Sequence, residues 1–210
     1  FPFMSCASIS VLGEVGRLFR ISFSGEHAYE IAVPSRYGES LFRLLVSRAE
    51  EIGGGPYGVE ALNVLRLEKG FITHAEIHGR VTAFDLGMQR MISEKKDCCG
   101  KTSAARPGLL DSEREQLIAL KPSGSVKQIV AGAHLFNLND EPLRQNDKGY
   151  VTSVGFSPTF GHFIGLGFLK NGQVRLGDRI KMVDHLRGIE TECEIINTVS
   201  FDPKGDRLRD

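Results

Sequence analysis

The chain has 210 residues, with 26 basic and 26 acidic side chains and a formal net charge of zero. This balance provides no electrostatic attraction to nucleic acid or to an anionic membrane, so neither is expected as a partner. Hydrophobic residues make up 41%, enough for a packed core, and no apolar run approaches the roughly 20 residues that a membrane-spanning helix needs.

The first predicted elements are two strands and a helix. Apolar and polar residues alternate over 15–24 and again over 29–33, which predicts two strands joined by a turn at Gly25-Glu26-His27. Ser35 is a candidate helix cap, and apolar residues then recur at helical spacing from Leu41 to Ile52. A hairpin followed by a helix is therefore expected.

The next stretch is predicted to contain further helices. One runs from Val59 to Glu68 and ends at Gly70, a residue type that favours helix ends. A short strand is expected at Phe71-Ile72-Thr73, and another helix is expected from Asp85 to Ile92. Together with the first strands, these elements predict an α+β domain over residues 1–95.

The composition changes after Met91. The polar stretch from Ser93 to Asp97 indicates a domain edge, and many short strand patterns separated by turn residues follow it. Such a pattern over residues 96–210 is typical of a small barrel or sandwich. The strand candidates are Leu117–Leu120, His134–Phe136, Val151–Gly155, Phe163–Leu169, Arg179–Val183 and Gly188–Ile195.

Two motifs resemble a nucleotide site and a metal site, but the predicted elements around them do not suit these sites, and the cysteines suggest no site. The G-x-G-x-x-G pattern at 53–58 follows a helix pattern, whereas a dinucleotide fingerprint follows a strand. His74 and His78 have the spacing of metal ligands on a helix, but the extended pattern before them breaks that spacing, so no metal site is predicted. The cysteines form no C-x-x-C pair and are expected to be reduced thiols of a cytoplasmic protein: Cys6, Cys98, Cys99 and Cys193.

Glu30 is one acidic residue beside apolar strand positions. Its carboxylate could accept hydrogen bonds from a polar ligand. From the residues alone, an ordinary exposed strand glutamate is the favoured interpretation.

Three segments resemble motifs of the aminomethyltransferase family, in the family's order. They are residues 20–31, residues 58–70, and a loop that begins at Gly149 and ends at Gly161. The ending Glu68-Lys69-Gly70 is closer to the branch of sarcosine oxidase alpha subunits and dimethylglycine dehydrogenases than to glycine-cleavage T-proteins. Leu62-Asn63 likewise replaces the Arg-Asp pair of T-proteins.

The resemblance implies a fold and a function. The fold is the second half of an aminomethyltransferase-type folate-binding domain, followed by a small antiparallel β-barrel. The function is that of a sarcosine oxidase, in which the carbon from oxidised sarcosine passes to tetrahydrofolate and gives 5,10-methylenetetrahydrofolate. A T-protein-type aminomethyltransferase and a non-catalytic scaffold of the same fold are the alternatives.

The resemblance also implies site residues. Glu30 matches the glutamate that binds the pterin ring, where a carboxylate can accept adjacent N–H groups, and it is expected to line a cleft between the two parts. Phe23 occupies a tyrosine position and can pack on the folate, Tyr29 precedes the glutamate, and His162 stands near the folate tail.

No catalytic residue is expected within this chain, because the family's catalytic aspartate lies upstream of the first motif. The chain by itself is therefore expected to be inactive. Flavin and NAD are expected only in other parts of the enzyme or in partner subunits. The expected partners are the other subunits of a heterotetrameric sarcosine oxidase, and an isolated chain is expected to self-associate through exposed apolar edges.

Overall fold

Three short strands and two helices form the first part of the computed structural model, which describes residues 1–11 and 13–209. Strands β1 (Cys6–Val11), β2 (Glu14–Phe19) and β3 (Glu30–Ala32) make an antiparallel sheet in the order β1-β2-β3. Helices α1 (Gly38–Glu51) and α2 (Val59–Glu68) follow. This confirms the α+β class of the first part and the two long helices.

A closed antiparallel barrel forms the second part. A short helix α3 (Lys101–Ala104) precedes it. All six strand candidates of this region are confirmed, each within a few residues of its predicted ends. The strands are β4 (Glu115–Pro122), β5 (His134–Asn137), β6 (Gly149–Ser157), β7 (His162–Lys170), β8 (Arg179–Asp184) and β9 (Ile189–Ile196). Around the barrel they pair in the order β4-β7-β6-β5-β8-β9.

Two apolar clusters form the core. The larger fills the barrel, and the smaller lies between the barrel wall and the end of α2, where Leu67 packs with Ile164 and Phe168. A Cβ atom at Gly155 of β6 would lie 3.1 Å from side-chain atoms of both Leu67 and Val64, so the missing side chain lets α2 approach the barrel closely. A last short helix, α4 (Asp206–Arg209), ends the described chain.

The first predicted strand is shorter than its pattern indicated. Strand β2 ends at Phe19, because the chain then turns through hydrogen bonds from the N–H of Gly25 to Ser22 Oγ and from the N–H of Glu26 to Ser24 Oγ. The predicted cap at Ser35 is wrong, since Ser35–Tyr37 forms a 3-10 turn without a side-chain cap. Strand β1 was not predicted.

Two other predicted elements are absent from the described residues. Thr73 donates its backbone N–H to the Glu76 carboxylate, at 2.8 Å, instead of to a neighbouring strand, so Phe71–Thr73 is not a strand. The helix expected at 85–92 is a turn followed by a 3-10 segment, because Asp85 accepts the N–H of Thr82 and Gly87 has a φ of +69°. Over the same described range, no helix is long and apolar enough to cross a membrane.

Candidate functional site

A groove of about 340 Å³ lies where the α+β part meets the barrel. Phe23 from the loop after β2 contributes to its lining, together with side chains of α2, the segment 73–75 and Ser153 of β6. Its lining residues come from four separate stretches of the chain, so only the folded arrangement of both parts creates it. The α2 residues that line it are Val59, Leu62, Asn63 and Arg66.

The aromatic wall of the groove is supported from behind. The ring of Phe23 stacks with that of Phe71, with centroids 6.1 Å apart and an angle of 18° between the planes. Phe23 nevertheless remains 39% exposed, so part of its ring is available to a ligand. An aromatic side chain in this position offers a flat apolar surface for another ring.

The polar floor of the groove is organised by Arg66, whose side chain is only 3% exposed. Its Nη2 donates to Ser153 Oγ at 2.7 Å, its Nη1 donates to the carbonyl of Phe71 at 3.1 Å, and its Nε donates to Asn63 Oδ1 at 2.9 Å. The same Nη1 lies 3.5 Å from Glu76 Oε2. The guanidinium therefore ties the helix, the following loop and the barrel strand together.

Glu76 is the buried counter-ion of Arg66. Its Oε1 accepts hydrogen bonds from the hydroxyls of Thr152 and Ser153, both at 2.6 Å, while its Oε2 accepts the N–H of Thr73. Burial acts to raise the pKa of Glu76, but these hydrogen bonds and the charge of Arg66 outweigh it and hold the pKa below its ordinary value. The carboxylate is thus ionised and fully bonded at neutral pH.

The C-terminal segment braces the loop that carries Phe23. Lys69, whose side chain is 3% exposed, donates from Nζ to the backbone carbonyl and to Oδ2 of Asp202, at 2.6 and 3.0 Å. Arg207 Nε donates to Glu26 Oε2 at 2.8 Å. These bonds hold residues about 130 and 180 positions apart in the sequence against one another.

The predicted folate residues do not all meet at this groove. Phe23 lines it, whereas Glu30 is exposed on β3 and is not among its lining residues. The Tyr29 hydroxyl forms a hydrogen bond with His27 Nε2 at 3.0 Å, and the tautomer of the histidine decides which of the two donates. His162 stacks on Phe160 at the start of β7, with its Nδ1 near the carbonyl of Phe163. The binding roles of these residues stay predictions.

The two histidines considered as metal ligands have separate surroundings. His74 lines the groove, while His78 lies 3.1 Å from the hydroxyl of Tyr150 and contacts the ring of Phe168 edge to face. Within residues 1–11 and 13–209, no three histidine, cysteine or acidic side chains converge to hold a metal ion. The described cysteines are free thiols, with Cys193 buried in the barrel and the other three exposed.

Sequence reasoning did not identify the polar residues of the groove. Arg66 and Ser153 lie inside two of the segments that carry the family resemblance, and this was the available signal for them. Glu76 lies between His74 and His78 in the sequence and belongs to no motif of its own. The sequence marks Asn63 only as a departure from the Arg-Asp pair of T-proteins, and its contact with Arg66 is visible only in the structure.

Comparison with known proteins agrees with this architecture. The family model described as the GCVT N-terminal domain matches residues 1–96, and the glycine cleavage T-protein C-terminal barrel domain matches residues 116–202. The sarcosine oxidase subunit alpha of Rhizobium meliloti is 42% identical over 99% of this chain and 21% of its own length. An aminomethyltransferase of Thermotoga sp. is 26% identical over 82% of this chain and 45% of its own length.

A solved structure shares the fold. The glycine cleavage system aminomethyltransferase T from Bartonella henselae superimposes with a TM-score of 0.74 and 22% identity, over 97% of this chain and 54% of that one. The chain spans about a fifth of the length of the sarcosine oxidase alpha subunits that it matches. With both of its parts matched by consecutive domain models of one family, the chain belongs to the glycine cleavage T-protein family.

Proposed function

We propose that this chain is the tetrahydrofolate-binding region of a sarcosine oxidase alpha subunit. In this proposal, tetrahydrofolate accepts the carbon of oxidised sarcosine and becomes 5,10-methylenetetrahydrofolate. The chain's own residues bind and orient the folate. The division into residues 1–95 for folate binding and 96–210 for the barrel is part of the proposal, as is a location in the cytoplasm.

The observation that carries the proposal is the groove between the α+β part and the barrel. It combines the apolar surface of Phe23, Leu62 and Val59 with a polar floor at Asn63 and Arg66. Small-molecule sites commonly have this composition, with apolar walls and a few fixed polar groups that set orientation. A flat ring system with polar edges, such as that of tetrahydrofolate, fits these residues.

The relatives of the chain and one exposed helix face support a proposal about partner subunits. The relatives with 35–42% identity are named as alpha subunits of sarcosine oxidase, so we propose assembly with the other subunits of a heterotetramer. Helix α1 presents Phe42 and Leu45 to solvent, at 61% and 47% exposure. Exposed apolar side chains on one helix face support a contact with another subunit or with a second copy of the chain. Flavin and NAD are proposed to belong to those other parts of the enzyme.

A non-catalytic scaffold is the second candidate function. The observation that favours it is the position of Glu30, which is exposed and does not line the groove. A scaffold would retain the fold and the junction network without binding folate. Direct measurement of folate binding separates the two candidates.

The test is a calorimetric titration of the purified chain, with any subunits that copurify, using tetrahydrofolate under anaerobic conditions. Phe23→Ala is expected to weaken binding about tenfold or more, because it removes the exposed ring surface. Glu30→Gln is expected to weaken binding about tenfold if its carboxylate accepts pterin N–H groups.

Two matched variants serve as controls. Phe156→Ala and Glu50→Gln remove the same side-chain types from exposed positions outside the groove, and both should bind tetrahydrofolate like the wild type. Absence of binding by the wild type would reject the proposed function and favour the scaffold. Binding that Glu30→Gln leaves unchanged would retain the function and remove Glu30 from the site.

A further inference from the structure

One polar group of the groove has an orientation that hydrogen-bonding chemistry determines. Arg66 Nε donates to the side chain of Asn63 over 2.9 Å. A guanidinium has only donors, so the amide must present its oxygen to Arg66 and its NH2 group must point the other way. The amide nitrogen has no hydrogen-bond partner among the described residues, and Asn63 lines the groove.

This orientation is held by a rigid support. Arg66 cannot rotate freely, because Ser153 and the carbonyl of Phe71 accept its other N–H groups and Glu76 neutralises its charge. Rotation of the Asn63 amide by half a turn would place two donors face to face and lose a bond to a charged group. Arg66 and Glu76 are therefore positioning residues for the Asn63 amide.

The surroundings of the amide indicate the kind of group that it can bind. Leu62 and Val59 line the groove on the same helix, and Phe23 supplies a flat ring backed by Phe71. A neutral donor beside apolar surface suits a neutral acceptor on a flat ring better than a free carboxylate, which would have to give up its hydration for a single uncharged partner.

We propose that Asn63 is a ligand-binding residue whose NH2 group donates to a ring-linked carbonyl oxygen of the bound ligand. The inference rests on the proposed function and deepens it, since tetrahydrofolate carries such carbonyls on its pterin ring and on its benzoyl group. The shared chemistry is a neutral carbonyl acceptor, and Asn63 selects for it. The position of Asn63 in the second turn of α2, next to Leu62, places this donor at the apolar wall of the groove.

Asn63→Asp tests the proposal, because it keeps the acceptor for Arg66 and replaces the NH2 donor with a second acceptor. Tetrahydrofolate binding is expected to weaken about tenfold or more, while the thermal midpoint stays close to that of the wild type. Asn63→Ala removes both interactions and should weaken binding to a similar extent with some loss of stability. Wild-type affinity in Asn63→Asp would overturn the proposal and leave Asn63 only as a support for Arg66.

Two smaller probes distinguish the carbonyl sources. 6-Methyltetrahydropterin carries only the pterin carbonyl, and p-aminobenzoyl-glutamate carries only the benzoyl carbonyl. The probe whose affinity falls in Asn63→Asp identifies the bound group, and unchanged affinity for both probes and for tetrahydrofolate overturns the inference. If the wild type binds none of the three compounds, both the proposed function and this inference fail. If the wild type binds them and Asn63→Asp binds them equally well, only this inference is rejected.

Discussion

The barrel and the α+β part are stabilised by different kinds of interior. Inside the barrel, Leu120, Leu135, Leu169, Ile180 and Met182 are fully buried and apolar. The buried hydrophobic side chains of α1 and α2 are only Leu41 and Leu67 among the described residues, whereas several buried side chains near them carry charge. Those charged residues are Arg20, Arg66, Glu68, Lys69 and Glu76.

The difference teaches how the groove obtains its geometry. Apolar burial is non-directional and tolerates small shifts, whereas a buried ion pair with hydrogen bonds requires defined positions. The α+β part is fixed to the barrel by such bonds, including Ser157 Oγ to Glu68 Oε1 at 2.5 Å and Arg66 Nη2 to Ser153 Oγ at 2.7 Å. The groove lies at this junction, so its polar groups are held in place.

The largest effect is expected for Glu76→Gln, which removes the buried charge that faces Arg66. Leaving a buried cation without its partner costs about 3–5 kcal/mol of unfolding free energy. Urea unfolding followed by circular dichroism should show this loss. Glu50→Gln on the exposed face of α1 should change stability by less than about 0.5 kcal/mol. An equally small loss of stability in Glu76→Gln would contradict the claim that buried charged residues hold the α+β part together.

A somewhat smaller effect is expected from a cavity in the barrel. Leu135→Ala removes a side chain that is 0% exposed, and such truncations cost about 2–5 kcal/mol. Leu186→Ala is the matched control, since Leu186 is 95% exposed and its truncation should be nearly neutral. The same unfolding experiment should show this loss for Leu135→Ala, and a loss no larger than that of Leu186→Ala would contradict an apolar barrel interior that stabilises the fold.

The smallest expected effect is a difference in acid sensitivity. Burial acts to raise the pKa values of Glu76 and Asp85, but hydrogen bonds and neighbouring arginines hold both below their ordinary values. Their contribution to stability is complete above the unfolded-state values of about 4 and is lost as the pH falls through the lower folded-state values. Unfolding midpoints measured from pH 7 to pH 3 should therefore decrease, and the decrease should be shallower in Glu76→Gln. Identical pH profiles of the wild type and Glu76→Gln would show that protonation of Glu76 does not contribute to the acid sensitivity.

The same contrast explains what could be predicted from the sequence. The barrel strands alternate apolar and polar residues between local turn signals, as in Ile189–Ile196, so their pattern is visible in a short window. In the α+β part, the backbone N–H groups of Thr73 and Thr82 donate to nearby carboxylates instead of to a strand or a helix. A periodic sequence pattern does not indicate such bonds. Strand β1 also alternates, with Ala7, Ile9 and Val11 half-buried and Ser8 and Ser10 exposed, but most of its side chains are small, which makes the pattern easy to miss.

The site was predictable only where a motif resembled a family. Phe23 was identified in this way and lines the groove. The bond between Arg66 and Ser153 joins residues 87 positions apart, and that between Ser153 and Glu76 spans 77 positions. Such pairs depend on how α2 packs against β6, so residue types and local spacing could not reveal them.

A crystal structure of the chain grown with tetrahydrofolate tests the central claim most directly. The account predicts folate density in the groove, with a ring against Phe23 and a carbonyl oxygen within hydrogen-bonding distance of Asn63 Nδ2. Density on another face of the protein, or an empty groove at saturating tetrahydrofolate, would contradict it.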